Sequence, residues 1–208
     1  MTLRLAGSTS GYTEIDASAV AGSNTLVLPT GYGTADQVLA TNGSGALSWA
    51  SRNRMVLATA QNTTSGTNID FTGIPSWVKR ITVIFNGVST NGSSVLLMQL
   101  GSGSVSTTGY FSTATSTSGG GTVVTTSTTG LAVSGNNNSG FGQVGSVVIT
   151  NVSSTTWIAF GSGLQSAAQT CTNGGSVTLS GALSQLRLTT VDGTDTFDAG
   201  SVNILYEG

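Results

Sequence analysis

Hydrophobic positions along this chain fall in short runs broken by Gly, Ser, Thr and Asn, and none carries the three-to-four-residue spacing of an amphipathic helix. Up to residue 50 the runs are sparse: Leu3 and Leu5, Ile15, Leu26-Val27-Leu28, Val38-Leu39, then Leu47 and Trp49. Beyond it they lengthen, at 55–60, 69–71, 78–85, 95–100, 122–126, 144–150, 157–161, 176–179, 185–190 and 201–206. Residues 79–85 and 185–191 alternate apolar with polar at a period of two, the mark of a strand with one buried face. Asn86-Gly87, Asn91-Gly92, Asn173-Gly174 and Asp192-Gly193 supply turn signals between runs. Evenly spaced strands with such turns predict an all-β fold, with an antiparallel β-sandwich of jelly-roll-like form over residues 51–208. Residues 1–50 predict a small β-rich unit whose strands are too thin to close a core alone. The boundary between the two is expected at Ser51-Arg52-Asn53-Arg54, the most charged stretch of the chain.

Composition narrows the class of protein. Charged residues make up 7% of the chain, against roughly 25% in ordinary globular proteins. Disorder does not follow, because 38% of residues are hydrophobic and the net charge is only −2. Six Lys and Arg spread along 208 residues form no basic stripe, so nucleic-acid binding is excluded. No stretch approaches the roughly 20 apolar residues that span a bilayer, and the N-terminus has no basic region ahead of an apolar one. Neither membrane insertion nor export by a signal peptide is expected. Cys171 has no partner for an intrachain disulfide and reads as a small buried hydrophobe.

Residues 3–50, LRLAGSTSGYTEIDASAVAGSNTLVLPTGYGTADQVLATNGSGALSWA, resemble an N-terminal unit that recurs in tail-fibre and other appendage proteins of tailed bacteriophages. The stretch IDFTGIPSWVKRITV (69–83), followed by VSTNG (88–92), and the ending FDAGSVNILYEG (197–208) resemble a β-rich C-terminal domain of phage tail and virion-associated proteins. These resemblances imply a structural phage virion protein, assembled in the host cytoplasm and carried on the particle. They imply a homotrimer joined to other virion proteins by its N-terminal unit, with the C-terminal domain presenting loops to a host-surface glycan or protein. A short tail fibre or adhesin is the leading form. A capsid head fibre or decoration protein and a carbohydrate-degrading tailspike are the alternatives, and a bacterial surface lectin is disfavoured by the missing export signal.

The side-chain inventory points away from catalysis. There is no histidine, which removes the usual general base and the Ser-His-Asp triad, and a lone cysteine makes no thiolate zinc site. Carboxylate pairs remain, as glycosidases use. Asp192, Asp195 and Asp198 are the densest group, and their spacing fits no EF-hand loop. They read as an Asp-Gly turn with side chains capping backbone amides, with a cation site or an acid pair as the other readings. No cofactor or metal is called for. Trp77 and Trp157 read as core. Tyr110, Phe111 and Phe141 sit in Gly/Ser/Thr/Asn-rich stretches and are the candidate contact aromatics. Residues 112–121 and 134–142, the latter holding Asn136, Asn137 and Asn138, read as polar loops able to carry recognition.

Overall fold

A computed structural model describes every residue except 1, 2, 7, 16–21, 24, 36, 52–54 and 167. The charged stretch Arg52-Asn53-Arg54, used above as the boundary, therefore lies outside the described residues. The chain divides into two compact units, Met1–Asn53 and Arg54–Gly208.

Among its described residues the first unit has two antiparallel hairpins. β1 (Leu3–Ala6) pairs with β2 (Tyr12–Ile15), and the Arg4 guanidinium lies 4.0 Å over the Tyr12 ring. β3 (Gln37–Thr41) pairs with β4 (Leu47–Ser51) around a turn in which Asn42 Oδ1 accepts the Ser44 and Ala46 amides. Residues 25–31 run beside this hairpin: Val27 bridges Ala46, and Trp49 Nε1 donates to the Gly31 carbonyl at 2.7 Å. Leu3, Thr13, Glu14 and Ser51 aside, not one described residue of this unit is buried. Leu26, Val27, Leu28, Ile15 and Tyr12 are all more than half exposed.

The second unit is all-β and sandwich-like. Its strands are β5 (Met55–Leu57), β6 (Gln61–Asn62), β7 (Ile69–Thr72), β8 (Arg80–Thr90), β9 (Leu96–Ser102), β10 (Ser104–Val105) and β11 (Tyr110–Ser118). They continue with β12 (Gly121–Ser127), β13 (Leu131–Ala132), β14 (Gln143–Asn151), β15 (Thr156–Ser166), β16 (Gln169–Thr178), β17 (Gln185–Thr190) and β18 (Phe197–Glu207). One antiparallel sheet has the order β12-β11-β16-β15-β14-β8-β18-β5, with β6 also on β18; the smaller has β10-β9-β17-β7, with β13 on β9.

Alternation decides which side chains meet between the sheets. Ile81, Val83 and Phe85 of β8, Val147 and Ile149 of β14, and Val202 and Ile204 of β18 point inward from the large sheet. Leu96, Met98 and Leu100 of β9 and Leu186 and Leu188 of β17 meet them from the small one. At roughly 25 cal/mol per Å² of apolar surface removed from water, this cluster is the main stabilising term of the unit. Where β7 and β17 pair, Arg187 Nε and Nη2 bond both Asp70 carboxylate oxygens at 2.7 Å, so Asp70 serves as a cross-strand ion pair.

Two turn signals lie inside strands instead of between them. Asn86-Gly87 falls within β8, where the ladder with β18 shifts register on either side of Ala199. Gly87 and Gly200 both have positive φ, and a Cβ on Gly200 would collide with the Gly87 carbonyl, so this pair forms a bulge. Asn173-Gly174 falls within β16, paired on both sides. Asp192-Gly193 does form a turn, with Gly193 at φ +69°.

Candidate functional site

The carboxylate group near the C-terminus is tied to backbone. Asp192 Oδ1 accepts the Thr194 amide at 3.1 Å and the Thr190 hydroxyl at 2.9 Å, the reach of an Asx turn. The Thr194 amide foremost, aided by neighbouring hydroxyls, pulls its carboxyl down to about 2 from the ordinary 3.8. Asp195 Oδ2 accepts the Ser94 amide at 2.8 Å, and its carboxylate lies over Gly92, where any Cβ would strike it. Asn91 Oδ1 in turn accepts the Thr196 amide at 2.9 Å. Segment 191–196 is thus joined to segment 91–95 by the Asp195 carboxylate, which accepts the Ser94 amide, and by the Asp192 backbone amide, which donates to Ser94 Oγ at 3.1 Å. Asp198 is exposed. Among the described residues no group of three or more His, Cys, Asp or Glu is placed to hold a metal ion.

The asparagine stretch 134–142 is a connection between β13 and β14, but only part of it faces solvent. Asn137 Nδ2 donates to Thr90 Oγ1 at 3.0 Å and to the Ser94 carbonyl at 2.9 Å, so its amide is an anchor onto the neighbouring loop and not a free contact group. Asn136 is half-buried and its carbonyl accepts from Ser134 Oγ and from Gln165 Nε2. Gln165, 1% exposed, also takes the Ser116 hydroxyl on its Oε1 at 2.8 Å, while Ser116 Oγ receives the Gly135 amide at 2.9 Å. This buried network fixes the start of the stretch to β11 and β15. Asn138 is exposed and caps the Gly140 amide, and Phe141 is half-buried.

The aromatic candidates separate by strand parity. Residues 112–118, expected in a loop, belong to β11, so Tyr110 and Phe111 point to opposite faces of a sheet. Tyr110 is 4% exposed: its hydroxyl accepts the Leu100 amide at 2.7 Å and faces the Ser106 carbonyl at 3.1 Å. Burial pushes its phenol up to about 12. Tyr110 is a core residue that ties the two sheets together, contrary to the expectation of an exposed contact. Phe111 is 78% exposed on the outer face of the large sheet.

Sequence reasoning missed its companion. Phe160 on β15 is 70% exposed, and with Phe111 it borders a shallow groove that also has Thr113, Thr115, Thr172 and Gly174 along it. Register explains the groove: Thr113 lies opposite Gly174, and Gly174 lies opposite Phe160, so the middle strand offers no side chain between its neighbours. The sequence carries the signal: with Trp157 reading as core in the run 157–161, a residue three positions along the same strand must face the other way, and the structure buries Trp157 accordingly, at 3% exposed. Compared with known proteins, the chain matches no family model, no curated protein and no solved structure.

Proposed function

We propose that this chain is a structural protein of a bacteriophage particle, a short tail fibre or adhesin that works as a homotrimer and catalyses nothing. The observation that carries the reading is the N-terminal unit: two hairpins with exposed apolar side chains and, Leu3, Thr13, Glu14 and Ser51 aside, not one buried residue among the described ones of Met1–Asn53. A unit of that kind has no stable state in isolation, because conformational entropy of about 1–2 kcal/mol per ordered residue is set against almost no burial. Association with copies of itself and with other virion proteins supplies the missing burial, and closed cyclic symmetry covers strand edges that would otherwise pair at random. The similarity of residues 3–50 to fibre-protein N-terminal units supports the same reading. The second unit, with a core of its own, is the part free to face a host-surface glycan or protein.

The test is to label the protein with antibody and gold on intact particles and to repeat this with a chain lacking residues 1–50. Label at the tail that vanishes with the truncation supports the fibre. Label spread over the head assigns the protein to capsid decoration instead, and no label on particles ends the virion reading.

A further inference from the structure

The outer face of the large sheet is where composition and geometry disagree with a solvated surface. An antiparallel sheet covered on one side normally turns polar and charged side chains to water on the other. β11, β12, β14, β15 and β16, five neighbouring strands of this sheet, contain no Asp, Glu, Lys or Arg at all. Their outward positions hold apolar residues among Ser and Thr. Phe111, Ser176 and Ile158 form one row across three strands, Thr113, Gly174, Phe160 and Val148 the next, and Leu164 lies opposite Val144.

We infer that this face, centred on Phe111 and Phe160, is covered by a second copy of the same chain in the assembled protein. The occupant rests on the homotrimer reading above; the surface itself rests on three observations. The first is area. Phe111, Phe160, Ile158, Leu164, Val144 and Val124 are each 45–78% exposed, together roughly 600 Å² of apolar surface, which is the upper end for a monomer's largest patch and approaches the about 800 Å² per partner of a stable interface. The second is charge. A partner of ordinary composition would bring unpaired charge against a face that has none to answer it, at a high desolvation cost. This chain carries 6 + 8 charged residues in 208 and is the partner whose surface fits. The third is shape. Two exposed rings border a notch floored by Gly174, an arrangement of aromatic anchors at the middle of a patch that matches the usual centre of a protein interface. A sugar is the weaker fit, because the Thr115 and Thr172 hydroxyls beside the notch are bonded to each other at 2.8 Å.

Sedimentation of the full chain over a dilution series tests this, comparing wild type with Phe111→Ser/Phe160→Ser, with Gly174→Glu and with Val191→Ser as a control at an exposed apolar position outside those five strands. Circular dichroism and melting confirm that each is folded; the altered side chains are exposed, and a Cβ on Gly174 meets only the Ala159 carbonyl at 3.7 Å. The expected result is an oligomer whose dissociation constant rises about 100-fold or more in both face variants, the loss of two anchors or the burial of one charge, with the control unchanged. Face variants that assemble like wild type overturn the inference and leave a trimer held by the N-terminal unit. Face variants that assemble normally but lose binding to host cells overturn it in favour of a receptor surface. A wild-type chain that is monomeric at micromolar concentration overturns both this inference and the trimer, whatever its position on the particle.

Discussion

At the level of single residues, adjacent positions with similar chemistry have opposite roles. Gly175 faces the core, where a Cβ would stand 2.6 Å from the Phe111 carbonyl and 2.9 Å from Leu131 Cδ2, whereas Gly174 faces open space. Gly175→Ala is expected to destabilise the protein by about 1–3 kcal/mol through overpacking, and Gly174→Ala to stabilise it by about 0.4–1 kcal/mol through reduced freedom of the unfolded chain; urea titration of the two variants checks the sign. Asp192 provides a test against pH. Its carboxyl lies near 2 in the folded protein and at an ordinary 3.8 otherwise, so its contribution is complete above pH 4 and is lost as pH falls through 2. Between pH 4 and pH 2 the urea midpoint of Asp192→Asn should therefore fall less than that of wild type. Tyr110 and Phe111 show what was legible in the chain and what was not. Both are aromatic residues among small polar ones, and hydropathy alone does not distinguish them; the strand beneath them does, by sending one to each face.

Single elements were readable where the apolar side chains themselves alternate. β8 and β17 follow from residues 79–85 and 185–191 because Ile81, Val83, Leu186 and Leu188 fill every second position. β11 did not, since its inward positions after Tyr110 are Ser112, Ala114 and Ser116, buried as polar or small residues. Ser112 Oγ takes the Ala132 amide at 2.9 Å and Ser116 Oγ takes that of Gly135, so hydroxyls do there what methyl groups do in β8. The Asn173-Gly174 pair of β16 likewise has the form of a turn signal, although β11 and β15 pair with that strand on both sides. Gln165 is the hinge of the arrangement, and Gln165→Leu would strand the Ser116 hydroxyl and its partners. The expected cost is about 1–3 kcal/mol, measured by denaturation, together with faster amide hydrogen exchange at Gly135.

For the whole molecule, the division of labour follows from where the core is. The main hydrophobic cluster runs from Ile69 to Ile204 and draws on neither hairpin of the N-terminal unit. A fragment of residues 51–208 is expected to keep its β-type circular dichroism and melt cooperatively, whereas a fragment of residues 1–53 at micromolar concentration should show no cooperative melting. A fragment 51–208 that aggregates or loses its spectrum would refute the first part.

The five charge-free strands also determine how this protein meets its surroundings. Ionic strength acts on a protein chiefly by screening its charges, over about 10 Å at 0.1 M salt. Where a broad expanse of sheet has no charge to screen, dilute fresh water and brine are nearly the same solvent to it, and acidity changes nothing within reach. Contacts made through such a face persist through changes of medium that would loosen a surface held by ion pairs.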